Sequence, residues 1–176
     1  LDSNKCIAFL TQTKEMIPER YRKKIGNRLY GCDTCQVVCP ENKGKGEEYQ
    51  PEFTPDPEKV KPELLPLLSM SNREFKEKYG KMAGSWRGKK PIQRNAVMAL
   101  GHFREKGAVP KLQSLLSEDP RPVIRGSAAW SLGEIGESEE DSYAVLQVAN
   151  KREDDASARE EIQKALLKLK KEVEHS

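Results

Sequence analysis

Apolar positions along the 176-residue chain fall into short patches, then a gap, then a repeat. The first patch, through Cys6, Ile7 and Leu10, sits behind a helix cap from Asp2 or Ser3. The second runs from Ile17 to Ile25, opened by Pro18 and closed by Gly26, the usual asymmetry of helix ends. From Lys43 to Pro57 the patches stop. Pro51, Pro55 and Pro57 among Gly and Glu predict a linker or a surface-hugging loop. Ser71-Asn72-Arg73-Glu74 is a capping box, predicting a helix through Phe75 and Tyr79 that Gly80 ends.

From about residue 86 the pattern repeats. Ala96, Leu100 and Gly101 recur as Ala128, Leu132 and Gly133, at an offset of 32. Each copy is followed by a second apolar stripe: Val109, Leu112, Leu115 and Leu116, then Tyr143, Val145, Leu146 and Val148. A degenerate third copy follows at an offset of 34, with Arg159, Ile162 and Leu166, and runs into a charged tail from Lys164 to Glu174. The prediction is a stack of helix pairs resembling HEAT-like repeats. Small residues let neighbours approach, Asp119-Pro120 marks a turn, and a polar-faced helix caps the end. The fold class expected is mainly α.

Composition agrees with a thin, elongated, helical molecule. Hydrophobic residues make up 36% and mean hydropathy is −0.80, which disfavours one large core. No apolar run reaches the roughly 18 residues of a membrane span, and no signal peptide is evident. Two histidines are too few for His-based catalysis or a His-rich metal site.

The net charge of +3 conceals a division. Residues 71–125 carry 13 basic and 5 acidic side chains, whereas residues 126–176 carry 7 and 12. The densest basic run is Trp86-Arg87-Gly88-Lys89-Lys90, with Arg94 a turn later and Arg125 in the next repeat. Arg87, Lys89, Lys90, Arg94 and Arg125 are therefore candidate nucleic-acid contacts, with Trp86 either a stacking surface or a core plug. A solvated charged face, with Arg94 and Arg125 paired to acids of neighbouring repeats, is the simpler alternative.

The strongest chemical signal is Cys32-Asp33-Thr34-Cys35-Gln36-Val37-Val38-Cys39-Pro40, with Cys6 upstream. C-x2-C-x3-C-P is the tail of the bacterial ferredoxin motif, whose last cysteine serves the other cluster of a pair. Cys6, Cys32, Cys35 and Cys39 are candidate iron–sulfur ligands. A four-cysteine zinc site is an alternative, weakened by the single C-x2-C knuckle. Disulfides fit worse, given such close spacing. Under the ferredoxin rule Cys6, Cys32 and Cys35 serve one cluster and Cys39 a second. Four ligands are then missing, and the expectation is a C-terminal piece of a two-cluster protein.

The stretch Leu1-Asp2-Ser3-Asn4-Lys5-Cys6-Ile7, with Ile25-Gly26-Asn27-Arg28-Leu29-Tyr30-Gly31 leading into the cysteine run, resembles the epoxyqueuosine reductase family. So do Arg94-Asn95-Ala96 with Ala99-Leu100-Gly101, and Ala128-Ala129-Trp130-Ser131-Leu132-Gly133. The resemblance implies a cytoplasmic, cobalamin-dependent iron–sulfur oxidoreductase that reduces epoxyqueuosine to queuosine in tRNA. It implies two [4Fe-4S] clusters passing electrons to the cobalt and repeats holding the anticodon stem-loop. By position, Cys6, Cys32 and Cys35 match the cluster farther from cobalamin and Cys39 the nearer one. The expected organisation is residues 1–50 as the C-terminal part of a ferredoxin-like domain, 51–85 as linker and connecting helix, and 86–176 as HEAT-like repeats. The cobalamin domain, the first cysteine motif and the general acid would lie outside these residues. No catalytic residue is then expected here, and the piece alone should be inactive; a monomer is expected, with no membrane partner and an electron donor the sequence does not identify. Competing readings are a stand-alone electron-transfer module and a zinc-stabilised scaffold.

Overall fold

The computed structural model describes residues 2–45, 56–136 and 142–174, side chains to residue 171. Among them every regular element is helical. Most of the segment expected as linker lies outside the described residues, and α4 (Pro57–Val60) follows it behind the Asp56 cap.

The first part is built from short pieces. A 3-10 turn at Ser3–Lys5 is capped by Asp2, whose carboxylate accepts from the Asn4 N–H. Then come α1 (Ile7–Leu10), α2 (Glu19–Ile25) and α3 (Thr34–Val37). Pro18 precedes α2, and Gly26 ends it at φ +58, a conformation that glycine adopts without a Cβ penalty. Leu10, Ile17, Tyr21 and Ile25 form a small core closed by Met98 of the repeat region, so this part leans on the repeats.

Two further helices, α5 (Leu64–Ser69) and α6 (Asn72–Tyr79), connect the two regions. The expected capping box is present: Ser71 Oγ accepts from Glu74 N–H at 3.1 Å, and Glu74 accepts from Ser71 N–H at 2.7 Å. Phe75 and Tyr79 bury the inner face.

The repeats are α7 (Lys89–His102), α8 (Val109–Glu118), α9 (Pro122–Ile135), α10 (Ser142–Arg152) and α11 (Ala156–Glu174). Helix α9 packs between α7 and α11, with α8 and α10 as the second layer. Repeated glycines set the spacing. A Cβ on Gly101 would stand 2.7 Å from Ser131, and one on Gly133 would stand 3.1 Å from Ala165. Helices α9 and α11 start 34 residues apart, the offset of the third copy. Ile124, Ala128, Ser131 and Ile135 are buried, as are Ala158, Ile162, Ala165 and Leu169 at that offset. Some positions depart from the predicted stripes, Tyr143 and Val145 being only partly buried. Val148 is exposed and Leu166 is only partly buried, because α10 and α11 each turn one side to water at the edge of the stack.

Arginine side chains join successive repeats. Arg125 donates to Asp119 O at 2.9 Å and makes a two-pronged pair with Glu153 in the next turn, both bonds 2.6 Å. Arg159, 34 positions on, reaches Glu153 O in the same way that Arg125 reaches Asp119 O.

Candidate iron–sulfur segment and its junction with the repeats

The four cysteines are all free thiols, with Cys35 exposed and Cys6, Cys32 and Cys39 partly buried. Cys6 sits where the first 3-10 turn passes into α1, its N–H bonded to Ser3 O. Gly31, at φ +73, turns the chain into Cys32, and its N–H donates to the buried Thr11 hydroxyl at 3.0 Å. Helix α3 then carries Cys35, while Cys39 precedes Pro40, the first residue of a 3-10 turn to Asn42. Asn42 folds back and donates to both the carbonyl and the side-chain oxygen of Gln36, each at 3.0 Å. Gln36 therefore supports the turn.

Cys32 Sγ lies 3.2 Å from Thr34 Oγ1. Hydrogen bonding from Thr34, aided by the charge of Arg28, holds the Cys32 thiol below its ordinary range, favouring thiolate, the form that binds metal. Among the described residues no three Cys, His, Asp or Glu side chains converge on one point. An iron–sulfur cluster spreads its cysteines over separate irons and does not require them to meet at one point. Four free thiols, three of them within Cys32–Cys39, are a donor set that suits a cluster.

The segment is fixed by residues that the charge pattern assigned differently. Arg94 was expected on a nucleic-acid face, but it is completely buried. Its guanidinium donates to Thr13 O at 2.7 Å, Glu15 O at 2.6 Å, Leu10 O at 3.0 Å and Asn95 Oδ1 at 2.9 Å. Asn95 in turn donates to Thr11 O and Leu29 O, both at 2.8 Å. This pair replaces water for the loop carbonyls between Cys6 and Cys32. Burial pushes the Arg94 guanidinium down to about 10, which leaves it charged at neutral pH. Arg125 is likewise removed from the nucleic-acid set, since Glu153 and Asp119 occupy it.

The rest of the basic run stays near the surface. Lys89 is partly buried and donates to Met70 O, Lys90 is partly buried, and Arg87 is exposed. Trp86 is 64% exposed, so it is not a core plug. A cleft of about 430 Å³ opens between the cysteine segment and the connecting helices, lined by Asn27, Arg28, Tyr30, Lys61, Tyr79 and Phe103 among others.

Family models describing a 4Fe-4S double cluster binding domain and HEAT repeats match residues 1–42 and 85–167. An uncharacterized protein from the gldA 3′ region of Geobacillus stearothermophilus is 59% identical over 97% of this chain and 78% of its own length. The epoxyqueuosine reductase of Bacillus subtilis is 58% identical over 97% of this chain, and that of Bacillus cereus 68% identical over 77%. The chain spans only 44% and 36% of those two reductases and matches their C-terminal part. A crystal structure of an epoxyqueuosine reductase with a tRNA-Tyr epoxyqueuosine-modified tRNA stem loop superposes with a TM-score of 0.90 at 57% identity, covering 97% of this chain and 45% of that one. The enzyme from Streptococcus thermophilus gives 0.80 at 36% identity, covering 95% and 44%.

Proposed function

Because the chain belongs to the epoxyqueuosine reductase family, we propose that it forms the electron-delivering and RNA-docking part of an enzyme that reduces epoxyqueuosine to queuosine in tRNA. The observation that carries this reading is the cysteine segment itself: four free thiols in ferredoxin spacing, held against the repeats by Arg94 and Asn95. Cys6, Cys32 and Cys35 hold one [4Fe-4S] cluster, and Cys39 contributes to a second. When bound, such clusters supply single electrons, here to a cobalamin held outside the residues of this chain. Residues 1–50 belong to the cluster domain, 51–85 connect, and 86–176 present the helical surface. The exposed Arg87, with the partly buried Lys89 and Lys90, contacts the anticodon stem-loop. The protein acts as a cytoplasmic monomer; among the described residues no helix is long and apolar enough to cross a membrane.

Iron and acid-labile sulfide analysis after anaerobic reconstitution tests the ligand set. The chain is expected to take up less iron than two complete clusters require, with broad visible absorption that Cys32→Ser and Cys35→Ser abolish. Two full clusters per chain would show that these cysteines are not half of a shared set. Zinc without visible absorption would sink the redox reading.

A further inference from the structure

The loop between α6 and α7 carries an aromatic side chain that the fold holds in water. Trp86 is 64% exposed, yet its indole N–H donates to Gln12 Oε1 at 3.0 Å, and Gln12 Nε2 donates to Ala8 O at 3.0 Å. The ring is thus tied to α1, the helix that follows Cys6. Ser85 Oγ donates to Gly80 O at 2.9 Å or Met82 O at 2.8 Å, closing the loop on itself. Gly84 lies so near the Tyr30 ring that a Cβ would stand 2.8 Å from it. The loop is therefore seated on the cysteine segment at two points, with the polar edge of the indole already satisfied.

Charge and ring chemistry give this surface a direction. The Arg87 guanidinium stacks over the Trp86 ring, 4.2 Å from its centroid. From Lys78 to Arg104 there is no acidic residue; of the seven basic ones Arg94 is buried and Lys78 pairs with Glu58, which leaves Lys81, Arg87, Lys89, Lys90 and Arg104. Helix α7 starts at Lys89 behind Gly88, which supplies no side-chain cap, so cationic and dipolar groups lie together beside the ring. A fixed aromatic surface amid cations is the arrangement that takes a flat π-face attached to a phosphate chain. An acidic protein would use the cations and leave the ring without a role.

We propose that Trp86, with Arg87 stacked on it, is a stacking platform for one unpaired base of the RNA stem-loop, an inference that rests on the RNA-docking function proposed above. The same hydrogen bond to Gln12 sets the height of that base relative to Cys6. Phosphates flanking the base meet Arg87, Lys89 and Lys90.

The test uses the full chain, a labelled RNA hairpin with an unpaired loop, and a blunt RNA duplex of the same stem. The hairpin is expected to quench Trp86 emission, assigned by loss of the signal in Trp86→Phe, since the other tryptophan, Trp130, remains. Trp86→Ala should weaken hairpin binding about ten-fold or more, and Trp86→Phe less, with duplex binding and the salt dependence unchanged. Thermal melting of both variants should stay close to the parent, because the ring is mostly exposed and only a surface hydrogen bond to Gln12 is lost. If Trp86→Ala leaves hairpin affinity unchanged, the platform is refuted while RNA docking stands. Equal losses on hairpin and duplex also refute it, since the ring would then act on the backbone. If neither RNA binds in a salt-dependent way, the docking function falls and the platform with it.

Discussion

Arg94 and Asn95 give the cysteine segment its shape at the level of single residues. Arg94→Met removes donors from Leu10 O, Thr13 O and Glu15 O without offering them water. Destabilisation of about 3 kcal/mol is expected, a fall in Tm of roughly 10 °C by calorimetry, because charged donors are lost and buried carbonyls orphaned. Arg94→Lys should recover only part of this, since an ammonium cannot fork among several acceptors. The capping box at Ser71 and Glu74 was readable in the sequence because both its bonds close within four residues. The role of Arg94 was not. Its loop acceptors lie 79 to 84 positions away, and nothing local tells which face of α7 meets them. The same distance hides whether Trp86 is covered, which only the packing against Gln12 and Tyr30 decides.

Among the helices, the recurrence of small residues sets how closely neighbours approach. Gly101 faces Ser131 and Gly133 faces Ala165, the first contact closer than the second. Gly101→Ala should therefore destabilise the stack by about 1–3 kcal/mol, and Gly133→Ala by less, as read from urea midpoints. Equal effects would show that α7, α9 and α11 adjust without strain. The repeat was legible because Ala, Leu and Gly return together at one offset, a coincidence that a lone amphipathic helix does not produce. The edges were less so. An apolar residue such as Val148 fits the α10 stripe by spacing, but among the described residues no helix covers that side of α10.

Across the whole molecule, Arg22 of α2 and Glu161 of α11 join the first part to the last. The pair is buried and two-pronged, one bond being 2.8 Å, and Trp130 lies beside Arg22. Burial raises the Glu161 carboxyl, but hydrogen bonding and charge from Arg22, with help from Lys164, outweigh it and hold the group below the usual carboxylate range. A carboxylate lowered in this way stabilises the fold above its unfolded value near 4.5 and loses that contribution as pH falls through the folded value. Glu161→Gln should flatten the acid limb of stability against pH, while Glu161→Ala should cost about 3–5 kcal/mol at neutral pH by leaving Arg22 buried alone. A melting curve indifferent to both changes would show that α2 is held by its apolar face only. The same pair also has a consequence in time. Arg22 and Glu161 are 139 positions apart, so at about 5–20 residues per second the ribosome makes α2 about 7 to 28 seconds before its partner exists. For the first part of that interval, until Arg94 and Asn95 of α7 are made, the loop between Cys6 and Cys32 lacks the donors that later hold its carbonyls.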